Sequence, residues 1–221
     1  PRVVVIPTAS GLEPGMPENW NARGVAHFQR LGASVTPLLI TERAHCYLTD
    51  HIHAINAADL IYFSGGNPNY VVETWRDTPA LTALLDRWRS GAALAGCSAG
   101  AMMMGGYTIR VRDALATGTP TWTPALAIAP RLAVLPHFDR MRHFLNDDRF
   151  EAVLATAPTG ITVIGVDEDT ALIHTVGHWH VSGRQTVTVF VHSGQATCYP
   201  HGADIEPGQT HLKFKVGGDE V

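Results

Sequence analysis

Hydrophobic positions in this chain alternate between two periods. Residues 3–6, Val-Val-Val-Ile, form an unbroken β-branched run of the kind that a strand buried on both faces requires. Loop residues Thr8, Ser10, Gly11 and Pro14 follow. Ala22, Val25, Phe28 and Leu31 then return at helical spacing, and Gly32 suits the end of that helix because it tolerates positive φ. Residues 35–40 predict a second strand, placed at a sheet edge by Pro37, which has no N–H to give a neighbour. A third strand is predicted at 60–64 and is stopped by Gly65, Gly66, Asn67 and Pro68. Thr78 and Pro79 open a further helix, a hydroxyl cap followed by proline at the first helical position, with Leu81, Leu84, Leu85 and Trp88 along one stripe.

A fourth strand at 92–97 runs directly into Ser98, Ala99, Gly100 and Ala101 and a Met-rich helical stretch at 102–104. Strands at 132–135 and 161–166 flank a helix around 150–155. Alternation of this kind implies right-handed crossovers and an α/β three-layer sandwich, a mostly parallel sheet with helices on both faces. Beyond Asp169 the texture changes. Short runs at 171–176, 179–181 and 186–191, separated by Gly177 and by Ser182 and Gly183, predict antiparallel hairpins near the C-terminus. Neither a Ser/Pro-rich linker nor a repeat interrupts the pattern, so residues 1–221 read as a single domain with 217–221 as a tail.

Composition narrows the function classes. A chain of 221 residues, 45 % apolar and 16 % charged, can bury a core without staples. Its three cysteines, Cys46, Cys97 and Cys198, are far apart and lack CxxC spacing, so neither a disulfide framework nor a zinc site is expected, and a cytoplasmic setting is. No charged segment precedes the first apolar run and no stretch of about eighteen apolar residues occurs, so neither a signal peptide nor a membrane span is expected. A net charge of −4 and 16 scattered Lys and Arg residues argue against a nucleic-acid partner. Twelve histidines include the pairs His51/His53 and His178/His180, but a third ligand at a recognisable spacing is missing, so no metal and no cofactor is expected.

The sharpest chemical signal is Gly96-Cys97-Ser98-Ala99-Gly100, a G-x-S-x-G pattern where a buried strand becomes a helix. A nucleophile elbow strains its central residue, so the positions two before and two after must lack bulk, and the following N–H opens a helix. Glycines bracket Ser98 in this way. Were Cys97 central, its flanks would be Ala95 and Ala99, so Cys97 reads more naturally as a buried thiol, with amide transfer through Cys97 as the rival chemistry. A serine needs a base at the carboxyl edge of the same sheet, and His137 ends the strand 132–135 there, with Phe138 behind it as a wedge. The base needs a carboxylate to orient it. Glu168 follows the strand 161–166, and Asp113 follows the segment 107–112; the strand end favours Glu168, and Asp113 stays open as an alternative. Backbone donors for an oxyanion are expected from the Ala99 N–H and from the loop Gly65, Gly66 and Asn67.

Four segments in this order, FSGGN at 63–67, GCSAGA at 96–101, LPHFDR at 135–140 and IGVDEDTAL at 164–172, resemble the serine peptidase family of dipeptidase E and cyanophycinase. That family is a branch of the class I glutamine amidotransferase-like architecture. The resemblance implies Ser98 as nucleophile, His137 as base, Glu168 as orienting acid and Asp113 as an accessory or alternative acid. It implies an oxyanion held by the Gly66 and Ala99 N–H groups, and a substrate region with Asn67, Arg140 and Arg142. The resemblance implies an exopeptidase acting on dipeptides or short peptides with an N-terminal Asp preferred, a preference that requires a cation for the side-chain carboxylate, which Arg140 or Arg142 offers. Alternatives are a hydrolase of aspartyl-arginine polymer or a non-catalytic binding module. A monomer or homodimer with a small peptide as its partner is expected.

Overall fold

The computed structural model describes residues 1–110, 120–144, 147–175, 177–190, 196–205, 215–216 and 219–220. They group into two compact units, Pro1–Met103 and Met104–Val221.

The first unit alternates strand and helix: β1 Arg2–Ile6, α1 Met16–Arg30, β2 Ser34–Pro37, α2 Thr49–Ala57, β3 Leu60–Phe63, α3 Pro68–Trp75, α4 Pro79–Arg89, β4 Ala93–Gly96 and the short α5 Ala99–Met102. Its four strands pair in the order β2-β1-β3-β4, all parallel. Pro37 accordingly lies on an edge strand, as its missing N–H requires. The β-branched run is the centre of the core, with Val3, Val4, Val5 and Ile6 each no more than 2 % exposed.

Register decides what each face meets. Val5 lies beside Tyr62, and Ile6 beside Phe63. Helix α1 covers the first of these faces, because a Cβ on Gly24 would stand 3.0 Å from the Val5 side chain and Phe28 meets Tyr62 edge to face. Helix α3 covers the other, where Trp75 packs edge to face on Phe63 and donates its indole N–H to Thr8 Oγ1. The sheet is therefore sandwiched between helices.

Two expectations shift in detail. On α1 the buried positions are Pro17 and Asn21, whereas Ala22 is exposed and Leu31, just past the helix, is 67 % exposed. The second strand stops at Pro37 instead of residue 40, and Ile40 turns inward to full burial after leaving the sheet. Helix α3 was hidden behind the turn residues Gly65, Gly66, Asn67 and Pro68. Its cap is Asn67, whose Oδ1 accepts from the N–H groups of Asn69 and Tyr70, with Pro68 at the first helical position.

The second unit contains β5 Tyr107–Ile109, β6 Trp122–Pro124, β7 Leu132–Pro136, α6 Phe138–Phe144, α7 Asp147–Ala155, β8 Thr162–Val166, β9 Thr170–Thr175, β10 His178–Gly183, β11 Thr186–Phe190, β12 Ala196–Pro200 and β13 Asp204–Ile205. Two short strands, β14 Lys215–Val216 and β15 Asp219–Glu220, pair near the C-terminus. Strands β7 and β8 are parallel, and β11 and β12 extend that sheet antiparallel in the order β12-β11-β8-β7. The expected hairpin forms from β9 and β10, joined on one side by β13. Ile164, Trp179, Val181, Val187, Val189 and Ile205 form its apolar centre. A second cluster stacks Phe138, Phe150 and Phe190, with ring centroids 5.5–5.6 Å apart.

Candidate active site

In the first unit, β4 ends at Gly96, and the Cys97 N–H still bonds to the Phe63 carbonyl. Ser98 then breaks the strand with φ 51° and ψ −120° before α5 begins at Ala99. A residue with a Cβ rarely occupies that region, and the cost is of order 1–3 kcal/mol. Both flanking glycines have a steric reason. A Cβ on Gly96 would lie 2.4 Å from the Gly100 carbonyl, and one on Gly100 would lie 2.4 Å from the Phe63 carbonyl oxygen. The turn is thus closed so tightly that only hydrogen fits at either side.

The loop after β3 reaches the same place. A Cβ on Gly65 would stand 3.2 Å from Ser98 Cβ and 3.6 Å from its Oγ. Gly66, at φ 141°, passes so near Ala9 that an added Cβ would be 2.2 Å from its carbonyl oxygen. The Asn67 N–H donates to that oxygen at 2.7 Å. The structure therefore brings Gly65, Gly66, Ser98 and Ala99 together, while the Asn67 side-chain oxygen is occupied as the α3 cap.

Cys97 faces a different neighbour. Burial and a hydrogen bond with the Cys97 thiol push the Tyr62 hydroxyl well above its ordinary range. That places the thiol against the hydroxyl of the strand residue beneath α1, and the strained backbone belongs to Ser98 alone in this turn. Cys46 is fully buried, and burial raises its thiol to about 11.

In the second unit, β7 delivers His137, also at positive φ (53°). Phe138 is 3 % exposed and lies flat on β8, where a Cβ on Gly165 would be 2.4 Å from its ring. This is the wedge that the sequence suggests, and it fixes the first turn of α6. The His137 Nδ1 stands 3.1 Å from Glu168 Oε1. The second carboxylate oxygen, Oε2, accepts from Arg140 Nε at 2.8 Å. His137, Glu168 and Arg140 are therefore assembled in one cluster, but Arg140 is placed on the acid.

Asp139 and Gln185 complete the cluster and escaped the sequence reading. Asp139 Oδ1 accepts the main-chain N–H of Glu168 at 2.9 Å, and Gln185 Nε2 lies 3.4 Å from Asp139 Oδ2 and 3.1 Å from the Glu168 carbonyl. Desolvation opposes ionisation of Asp139, but the bonds from the Glu168 N–H and from Gln185 outweigh it and hold its carboxyl below the usual carboxylate range. A signal for Asp139 existed, since it lies inside LPHFDR; Gln185 sits in a hairpin turn with no pattern around it. Strain marks the same places. Five non-glycine residues have positive φ among the described residues, and three are Ser98, His137 and Asp169, the last next to Glu168.

Asp113 lies outside the described residues, as does the side chain of Arg142, whose backbone is in α6. Of the histidine pairs, His51 and His53 fall on α2, where a two-residue spacing turns the rings away from each other. His178 and His180 share one face of β10, where His180 pairs with Asp204 at 2.8 Å. Among the described residues no group of three or more His, Cys, Asp or Glu side chains could hold a metal ion, and no helix is long and apolar enough to cross a membrane.

Known proteins resemble this chain in sequence and in fold. A cyanophycinase from Trichormus variabilis is 28 % identical over 222 aligned positions, spanning 95 % of this chain and 70 % of the relative. A peptidase E from Escherichia coli O6:K15:H31 is 28 % identical over 184 positions, 80 % of this chain and 76 % of its own. The crystal structure of a peptidase from an acI-B1 Actinobacterium superposes with a TM-score of 0.82 at 31 % identity, covering 93 % of this chain and 83 % of that one. A putative peptidase E from Listeria monocytogenes EGD-e, 18 % identical with a TM-score of 0.57 over 90 % and 85 % of the two chains, shares the fold. The profile of peptidase family S51 matches residues 1–181, and the chain belongs to that family of serine peptidases.

Proposed function

We propose that this peptidase hydrolyses dipeptides and short peptides through an acyl-enzyme, with Ser98 as nucleophile, His137 as general base and Glu168 as the acid that orients it. The backbone of Ser98 carries the proposal: φ 51° at a strand-to-helix turn closed by two obligatory glycines is the conformation that projects a nucleophile. Ser98 Oγ attacks the peptide carbonyl as His137 takes its proton, and the Gly66 and Ala99 N–H groups receive the oxyanion. His137 then gives the proton to the leaving amine and activates the water that releases the acyl group. Glu168, on Nδ1, fixes the tautomer and stabilises the imidazolium. Asp113 is kept as an accessory acid, tested by comparing Asp113→Asn with Glu168→Gln.

Substrates with an N-terminal Asp are preferred in this reading, the side-chain carboxylate resting on a cation from α6. Arg140 is engaged with Glu168, so its variants report on the acid as well as on substrate, and Arg142→Leu is the cleaner test of specificity. The deciding experiment is a dipeptide library digested by wild type and by Ser98→Ala. A loss of kcat/KM of about 10³-fold or more, with an unchanged circular dichroism spectrum, is expected. Unchanged turnover in Ser98→Ala overturns the assignment. Because the cyanophycinase relative aligns with 95 % of this chain, aspartyl-arginine polymer belongs in the same assay, and faster release from the polymer than from any dipeptide would replace the substrate class proposed.

A further inference from the structure

Glu168 lies in a turn between β8 and β9, and a glutamate there has three side-chain torsions between its backbone and its carboxylate. To keep Oε1 on His137 Nδ1, the main chain itself must be held. The structure holds it at both polar groups. The Glu168 N–H donates to Asp139 Oδ1 at 2.9 Å, and the Glu168 carbonyl accepts from Gln185 Nε2 at 3.1 Å and from Thr170 Oγ1 at 3.2 Å. Gln185 also reaches Asp139 Oδ2 at 3.4 Å, and its own main-chain N–H donates to Thr170 Oγ1 at 3.0 Å. The turn is pinned on its far side as well, where the Arg184 N–H donates to the Asp169 carbonyl at 2.9 Å. Asp139 follows His137 by two residues, so the segment that carries the base also grips the acid's backbone.

We infer that Asp139, braced by Gln185, is a positioning residue that anchors the main chain of Glu168 and thereby keeps its carboxylate on His137. The inference rests on Glu168 being the orienting acid. Asp139 touches no reacting atom; it acts through Glu168, and by analogy with the outer-shell partners of metal-binding histidines and carboxylates its removal is expected to cost about 10–100-fold in activity.

The test is steady-state hydrolysis of a dipeptide by Asp139→Ala, Asp139→Asn, Gln185→Leu, Glu168→Ala and the double variant Asp139→Ala/Glu168→Ala. Asp139→Ala is expected to lower kcat about 10–100-fold with KM little changed. Asp139→Asn keeps an acceptor for the Glu168 N–H and is expected within about fivefold of wild type, because the main-chain bond survives. The double variant is expected to have the kcat of Glu168→Ala alone, since no carboxylate remains to be positioned. A wild-type kcat in Asp139→Ala overturns the inference, as does a loss that persists undiminished in the Glu168→Ala background. Wild-type kcat in Glu168→Ala itself would instead overturn the acid assignment beneath it. Should Asp139→Ala fail to fold by circular dichroism, Gln185→Leu carries the same test through a smaller loss that must also vanish in the Glu168→Ala background.

Discussion

A methyl group on Gly100 would stand 2.4 Å from the Phe63 carbonyl oxygen, while one on Gly65 would stand 3.2 Å from Ser98 Cβ. The two glycines serve different ends, and alanine separates them. Gly100→Ala drives backbone into backbone and is expected to destabilise the protein by about 2–3 kcal/mol, read in urea denaturation. Gly65→Ala displaces the Ser98 side chain by a few tenths of an ångström and is expected to lower kcat about tenfold or more with little change in the melting temperature. The reverse pattern would mean that the loop after β3 supports the fold and not the chemistry. At this scale the strained turn was legible because its requirement is local: small residues two before and two after Ser98. The strand ends single out His137 and Glu168, and the structure brings those two side chains together. Asp139 was visible only as a member of LPHFDR and Gln185 not at all, because both bond to main-chain groups of Glu168 far along the chain, and local spacing records only bonds within a turn or two.

Among elements, the start of β1, the start of β3 and the end of α4 are tied by one carboxylate. Asp59 accepts from the Arg2 main-chain N–H at 2.8 Å and from its guanidinium at 3.1 Å, and Arg87 lies 3.5 Å away. The Arg2 side chain, then the Arg2 N–H, lower the Asp59 carboxyl to about 2. A carboxylate depressed in this way contributes stability that is complete above its unfolded value near 4 and disappears as pH falls from there through about 2. Asp59→Asn should therefore flatten the fall of the melting temperature across that window. An acid limb identical to wild type would show that the bond has no weight in the folded state. Elements are legible where an apolar run is unbroken, as in β1 and β3, and where period and cap coincide, as in α4. Asn67 and Pro68 form the same polar-cap-then-proline signal as Thr78 and Pro79, yet the preceding Gly-Gly pair made them look like the end of a turn rather than the start of α3. Helix α2 has a weak stripe, with Ile55 as its buried residue, and offered too little periodicity to be found.

For the whole molecule, the parallel pairing of the first four strands and the later hairpins follow from alternation that the chain displays openly, and family membership agrees with it. Less legible was the mixed sheet of β7, β8, β11 and β12, since a strand run alone does not say whether its neighbour runs parallel or antiparallel. The backbone at residue 98, φ 51° and ψ −120°, is territory that glycine occupies at ease, so the nucleophile proposed there and the fold favour different amino acids. Ser98→Gly should be inert yet melt above Ser98→Ala, which keeps the strain without the hydroxyl; an equal or lower melting temperature would count against a strained elbow. Descendants of this chain released from hydrolysis would then be expected to drift toward glycine at position 98, leaving a sturdier scaffold as the trace of a lost activity.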